Sequence, residues 1–216
     1  MLFERLAAAY VRGSLELAGP PLDELSPEEL EAVIELGLEA GLRLHRFKRT
    51  MDLPRVRKTL GILQGILPES LLDLGTGRGA FLWPLLDRFP SLQVTAADRL
   101  DYRVADLEAV RRGGIDNLHA LLGTIEELDL PPESFDVVTM LEVLEHTADP
   151  RLALRTACGW ARRFLILSVP SKADDNPEHL HLLRASQLSD WLTEAGMSRV
   201  QLDGVLNHLV VVASRT

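Results

Sequence analysis

The segment Leu71-Leu72-Asp73-Leu74-Gly75-Thr76-Gly77-Arg78-Gly79-Ala80-Phe81 narrows the choice of folds more than any other part of the chain. Its short apolar run, closed by glycines, reads as a buried parallel strand. The spacing of Phe81, Leu82, Leu85, Leu86 and Phe89 predicts a helix directly behind it. The glycines let backbone approach a ligand where a Cβ would clash, and amides at the helix start offer a cradle to an anionic or carboxylate-bearing group. Strand, glycine loop and helix in that order form a nucleotide-cofactor loop. The glycines fall as G-x-G-x-G rather than the dinucleotide spacing G-x-G-x-x-G, with Asp73 two residues ahead of the first. An acid at that place repels a pyrophosphate and attracts the ammonium of an amino-acid tail.

This pattern resembles motif I of the class I S-adenosylmethionine (SAM)-dependent methyltransferases, and later segments continue the likeness in order. Leu92 to Ala97 alternates toward a buried strand and ends at Asp98, where an acid about twenty residues past the glycines can accept both ribose hydroxyls. The resemblance makes Asp98 motif II, and Arg99 beside it is either a flank of the adenine or a surface residue. Leu118 to Leu122 reads as a third strand, followed by Gly123-Thr124-Ile125. Many family members carry an Asp at the position of Thr124, so the adenine contact passes here to the Thr124 hydroxyl or the Ile125 backbone. Phe135 to Met140 reads as the fourth strand, and Leu141-Glu142-Val143-Leu144-Glu145-His146 resembles motif IV of small-molecule methyltransferases. Arg163 to Val169 is the fifth strand, and Arg199–Leu202 with Val205–Ser214 form a terminal hairpin. The resemblance covers about residues 70–214. It implies an α/β doubly wound, Rossmann-like sandwich with a mostly parallel seven-stranded sheet, SAM as cofactor and S-adenosylhomocysteine (SAH) as product. It also implies that Asp73, Gly75, Thr76, Gly77 and Gly79 hold the methionine moiety, with Leu141 at the cofactor's edge.

Residues 1–68 lack strand-like alternation and read as a helical N-terminal cap ahead of a SAM-binding domain over 69–216. Ser26-Pro27-Glu28-Glu29 is a helix start, with Ser as N-cap, Pro at the first position and Glu reaching back. Leu30, Val33, Ile34, Leu38 and Leu42 then define its apolar face. Every charged residue from Glu16 to Glu39 is acidic, whereas Arg43 to Lys58 is basic except for Asp52. Such a basic run is either a solvated face pairing with the acidic segment or a patch for an anionic substrate or nucleic acid. Near the other end, the polar loop Lys172 to Pro177 is expected to move, and Ser186 to cap a helix through Ala195.

Glu142 and His146 are four apart and would share the face of one helical turn, with Glu145 a neighbour of both. They face the acceptor. Methyl transfer from a sulfonium is an in-line displacement that relies on positioning, and an alcohol, phenol or ammonium acceptor also needs a general base. His146 is the candidate, because an imidazole ordinarily titrates near neutrality. An alternative set, Glu142, Glu145, His146 and His181, has the mixed O and N donors of a divalent metal site. That set resembles the metal-dependent 2′-O-methyltransferases of small-RNA 3′ ends. A small-molecule acceptor is the leading expectation, RNA the second and a non-catalytic SAM-binding subunit the third. A nicotinamide dehydrogenase is disfavoured by the glycine spacing and by Asp73. The net charge of −9 argues against general polyanion binding. One cysteine, Cys158, excludes a disulfide framework and fits a reducing cytoplasm, and no apolar run is long enough to span a bilayer.

Overall fold

A computed structural model describes residues 2–49, 53–173 and 175–215. Seven strands form one sheet: β1 (Ser70–Leu74), β2 (Gln93–Asp98), β3 (Leu118–Leu122), β4 (Phe135–Leu141), β5 (Ala161–Pro170), β6 (Arg199–Val205) and β7 (His208–Ser214). Their order is β3-β2-β1-β4-β5-β7-β6, with β7 antiparallel to both of its neighbours. This is the expected Rossmann-like, mostly parallel sheet. The order reverses between β1 and β4, and an open α/β sheet binds its ligand at such a switch point, outside the carboxyl ends of the strands.

Seven α-helices accompany the strands among the described residues: α1 (Glu4–Leu15), α2 (Pro27–Glu39), α3 (Pro54–Ile66), α4 (Leu82–Arg88), α5 (Asp101–Arg112), α6 (Pro150–Trp160) and α7 (Ala185–Glu194). The chain divides into two compact units, one of residues 1–52 with 76–122 and the other of 53–75 with 123–216. In the first, α1 is buried without interruption from Leu6 to Gly13. Glycines bring it backbone to backbone with α5: a Cβ on Gly13 would lie 1.8 Å from the Ala109 carbonyl oxygen, and one on Gly113 1.8 Å from that of Ala9. The Ser26–Glu29 capping box forms as expected. Its helix buries Ile34 and Gly37, whereas Leu38 is 56% exposed. The expected face is rotated because Val11 of α1 fits only against a residue without a side chain, Gly37, where a Cβ would stand 2.3 Å from its Cγ2.

In the second unit β4 is the central strand, in parallel register with β1 (Leu72 beside Val138) and with β5 (Val138 beside Leu165). Asp136 sits where β4 starts. Its buried carboxylate accepts from the Arg162 guanidinium at 2.6 Å and the Glu69 amide at 2.9 Å. Burial opposes its ionisation, but the two donors outweigh it and hold this acid below the ordinary range. Two boundaries differ from expectation. The β6–β7 turn is Leu206-Asn207, both at positive φ, rather than Asp203-Gly204, because this two-residue loop matches the twist of the hairpin. Helix α7 starts one residue ahead of Ser186, at Ala185, where the Gln187 side chain accepts from the Arg184 amide and makes a Ser cap unnecessary.

Among the described residues four side chains of the basic stretch are paired, none of them with the acidic segment. Arg46 pairs with Asp106, Arg49 with Asp87, Arg55 with Glu142 and Lys58 with Asp203. Helix α2 leaves its own acids facing water. No helix among the described residues is long and apolar enough to cross a membrane.

Candidate active site

The glycine loop carries its expected geometry. Gly75, Gly77 and Gly79 all lie in the left-handed region, at φ 68°, 61° and 80°. A Cβ on Gly75 would lie 2.7 Å from Val143 Cγ2, and one on Gly79 2.1 Å from the indole nitrogen of Trp83. Trp83 is fixed from both sides, since its N–H donates to the Arg78 carbonyl and its ring packs on Phe47. Helix α4 has only seven residues and begins at Leu82, and the loop amides of Thr76, Gly77 and Gly79 donate to Ala97, Asp98 and Thr76.

Asp98, at the end of β2, is 3% exposed. Its Oδ2 accepts from the Gly77 amide at 2.8 Å and from Arg103 at 3.2 Å, and its Oδ1 from the Leu100 amide at 3.0 Å. The acid expected to read a ribose therefore also anchors the glycine loop. Arg103 is a partner that sequence reasoning missed, although its place one turn into α5 could have suggested it. Arg99 is exposed. Thr76 donates its amide to the Ala97 carbonyl, holding the loop to the end of β2. In the other unit, Asp73 is buried and accepts from the Thr139 hydroxyl at 2.8 Å. Leu141 ends β4 half-buried, and Ile125 is buried. The Thr124 amide donates to the Glu127 side chain at 2.9 Å, which together with the Thr124 hydroxyl keeps that carboxylate below its ordinary range.

Beyond β4 the chain does not continue as a helix. Glu142 takes a left-handed conformation (φ 58°) and a 3-10 turn covers Leu144–His146, so Glu142 and His146 do not share a helical face. The Glu142 amide is drawn to the Ser168 carbonyl at 3.0 Å, which breaks the helix before it can start. The Glu142 carboxylate accepts from the Ser168 hydroxyl at 2.6 Å and faces His208 Nε2 at 2.9 Å and Arg55 Nε at 3.7 Å. These three partners come from β5, β7 and α3, and only the fold assembles them. The four-residue metal set expected from sequence is not brought together. Glu145, His146 and His179 cluster instead, with ligating atoms within 4.8 Å of one another, while the His181 Nε2 bonds the Thr147 carbonyl at 3.0 Å. Glu145 is fully buried and His146 exposed.

His146 Nδ1 lies 2.9 Å from the Glu178 carbonyl oxygen. A carbonyl only accepts, so Nδ1 carries a hydrogen, and Nε2 is the nitrogen left to take a proton in the neutral ring. That is the tautomer a base requires.

Comparison with known proteins bears on the fold that carries these residues. Residues 72–163 match the family model described as a methyltransferase domain. Among sequence relatives, the ubiquinone biosynthesis O-methyltransferase of Idiomarina loihiensis is 38% identical over 45% of this chain and 39% of its own length. The ribosomal RNA small subunit methyltransferase G of Streptococcus pyogenes is 35% identical over 44% of this chain and 45% of its own. The chain thus spans less than half the length of these curated relatives. Among solved structures, the N-terminal domain of EvdMO1 with SAH bound superposes with a TM-score of 0.61 at 19% identity, covering 77% of this chain and 82% of that one. The magnesium protoporphyrin IX methyltransferase of Synechocystis with bound SAM gives 0.58 at 20% identity, covering 74% and 78%. Residues 72–163 thus match a methyltransferase-domain model and are carried on a Rossmann-like sheet.

Proposed function

We propose that the protein transfers a methyl group from SAM to a small-molecule acceptor, with His146 as general base. SAM, when bound, supplies a methyl group on a sulfonium, activated toward in-line displacement. Asp73 and the loop from Gly75 to Gly79 hold its methionine end, Asp98 the ribose, and Thr124 with Ile125 the adenine. The left-handed backbone at Gly75, Gly77 and Gly79, which side-chain-bearing residues rarely adopt, supports that assignment. His146 takes the acceptor's proton at Nε2. Residues 1–68 act as a cap, and Arg55, which lies within them, reaches Glu142. The observation favouring a small molecule over a polyanion is that Arg46, Arg49 and Lys58 are consumed by internal ion pairs on a chain of net charge −9. Burial pushes the Cys158 thiol up to about 12, so it stays uncharged and outside the chemistry. A single buried cysteine also suits a cytoplasmic site of action.

A second reading, divalent-metal-dependent methylation of RNA, is favoured by the Glu145, His146 and His179 cluster. Neighbouring donors around a metal lie about 3–3.5 Å apart, so modest side-chain rotation would close the set. Methyl-labelled SAM offered with separate small-molecule and RNA fractions, with and without a chelator, discriminates between the two. Label is expected in the small-molecule fraction, unaffected by the chelator. Chelator-sensitive label in RNA would establish the second reading instead. SAH binding without label in either fraction would mark a non-catalytic SAM-binding subunit.

A further inference from the structure

The peptide between Arg78 and Gly79 is pinned at both ends. Its carbonyl accepts from the indole N–H of Trp83 at 3.0 Å, and its amide donates to the Thr76 carbonyl at 3.1 Å. Trp83 also fills the space beside Gly79, where a Cβ would stand 2.1 Å from the indole nitrogen. The Thr76 and Gly77 amides tie the front of the loop to Ala97 and Asp98 at the end of β2, so Trp83 secures its back. The indole is 3% exposed and leans on the fully buried Phe47, with ring centroids 4.9 Å apart and planes at 42°. Phe47 rests in turn on Tyr10 of α1, at 5.3 Å. It closes a 3-10 turn, Leu44–Phe47, that is clamped from several sides. The Phe47 carbonyl accepts from the Phe3 amide at 2.8 Å, Arg46 pairs with Asp106 of α5, and Arg49 pairs with Asp87 of α4 at 2.9 Å. All of these residues belong to one compact unit. A close-packed interior transmits displacement, so a shift of Phe47 moves the indole and with it the Arg78–Gly79 peptide.

We propose that Phe47 and Trp83 are positioning residues for the methyl donor, holding the glycine loop in the conformation that receives SAM. Cofactor affinity is then set in part by Phe47, which lies outside the segment 72–163 that matches the methyltransferase model. The proposal rests on the reading of this loop as the SAM site and adds the residues that keep the site formed. A loop that is competent only part of the time binds its ligand more weakly in proportion to that fraction. The two rings raise the fraction by acting through the loop backbone.

The test measures SAH binding by calorimetry and exchange of the Trp83 indole hydrogen by NMR, its resonance being identified by its loss in Trp83→Phe. Trp83→Phe keeps a ring against Phe47 but has no N–H for the Arg78 carbonyl. It is expected to stay folded and to bind SAH about three- to ten-fold more weakly, the effect of one lost buried hydrogen bond on the loop. Phe47→Leu keeps apolar bulk without the ring; it is expected to weaken SAH binding and to speed indole exchange in the free protein. Coupling is reciprocal, so SAH must slow that exchange in the wild type. An SAH affinity for Trp83→Phe within about two-fold of wild type, or indole exchange that SAH leaves unchanged, would overturn the proposal. A role in packing alone predicts both of those results. Failure of the wild-type protein to bind SAH would remove the SAM reading of the loop itself, and the proposal with it.

Discussion

Replacing Asp98 with alanine is expected to weaken SAH binding about a hundred-fold, the effect of losing charge-assisted hydrogen bonds to two ribose hydroxyls. The same substitution acts on the protein before any ligand arrives. It removes the acceptor of the Gly77 and Leu100 amides and the counter-charge of Arg103. Leaving such groups unsatisfied at a site only 3% exposed costs about 2–3 kcal/mol of stability. Calorimetric titration with SAH measures the first loss and denaturant unfolding the second. Asp98→Asn retains an acceptor oxygen but no charge, so it falls between wild type and alanine in both. Wild-type SAH affinity in Asp98→Ala would remove the ribose role and leave Asp98 as a loop anchor alone.

The largest kinetic effect is expected at His146. Its alanine variant loses the acceptor of the transferred proton, and kcat falls by about 10²–10⁴-fold. SAH affinity should stay unchanged, because no cofactor contact is assigned to this exposed ring. The Glu178 carbonyl, which fixes the tautomer at 2.9 Å, belongs to the backbone and survives any side-chain change at position 178. Glu178→Ala therefore keeps most of the activity. Steady-state kinetics on the two variants separates the roles. A kcat for His146→Ala within about two-fold of wild type would mean that proton removal does not limit the reaction.

What was legible in the sequence is what local chemistry determines. Left-handed positions in a tight loop demand glycine, and Gly75, Gly77 and Gly79 stand where the loop needs them. Buried parallel strands demand apolar runs, so β1 to β5 could be placed to within a residue or two at each end. The capping box at Ser26 and the acid at the end of β2 are local signals of the same kind. What could not be read was decided by contacts distant in sequence. The helical spacing of Glu142 and His146 is real, but the backbone bond from Glu142 to Ser168 turns the chain before a helix can form. Nothing near Glu142 in sequence announces His208, whose partnership exists only because β7 runs antiparallel beside β5. The choice of His179 over His181 is of the same sort. Both sit in one short polar segment, and the Thr147 carbonyl draws one ring away while the other packs edge-on against His146. Charge segregation was a correct observation with the wrong partner, because Asp87, Asp106 and Asp203 approach the basic stretch only in the folded chain.

Calorimetric titration of the wild-type protein with SAH, and separately with NAD, tests the central claim most directly. One SAH is expected to bind per chain while NAD gives no heat of binding, since G-x-G-x-G behind Asp73 receives an amino-acid tail and repels a pyrophosphate. Binding of NAD in place of SAH would contradict the account, whatever the fold.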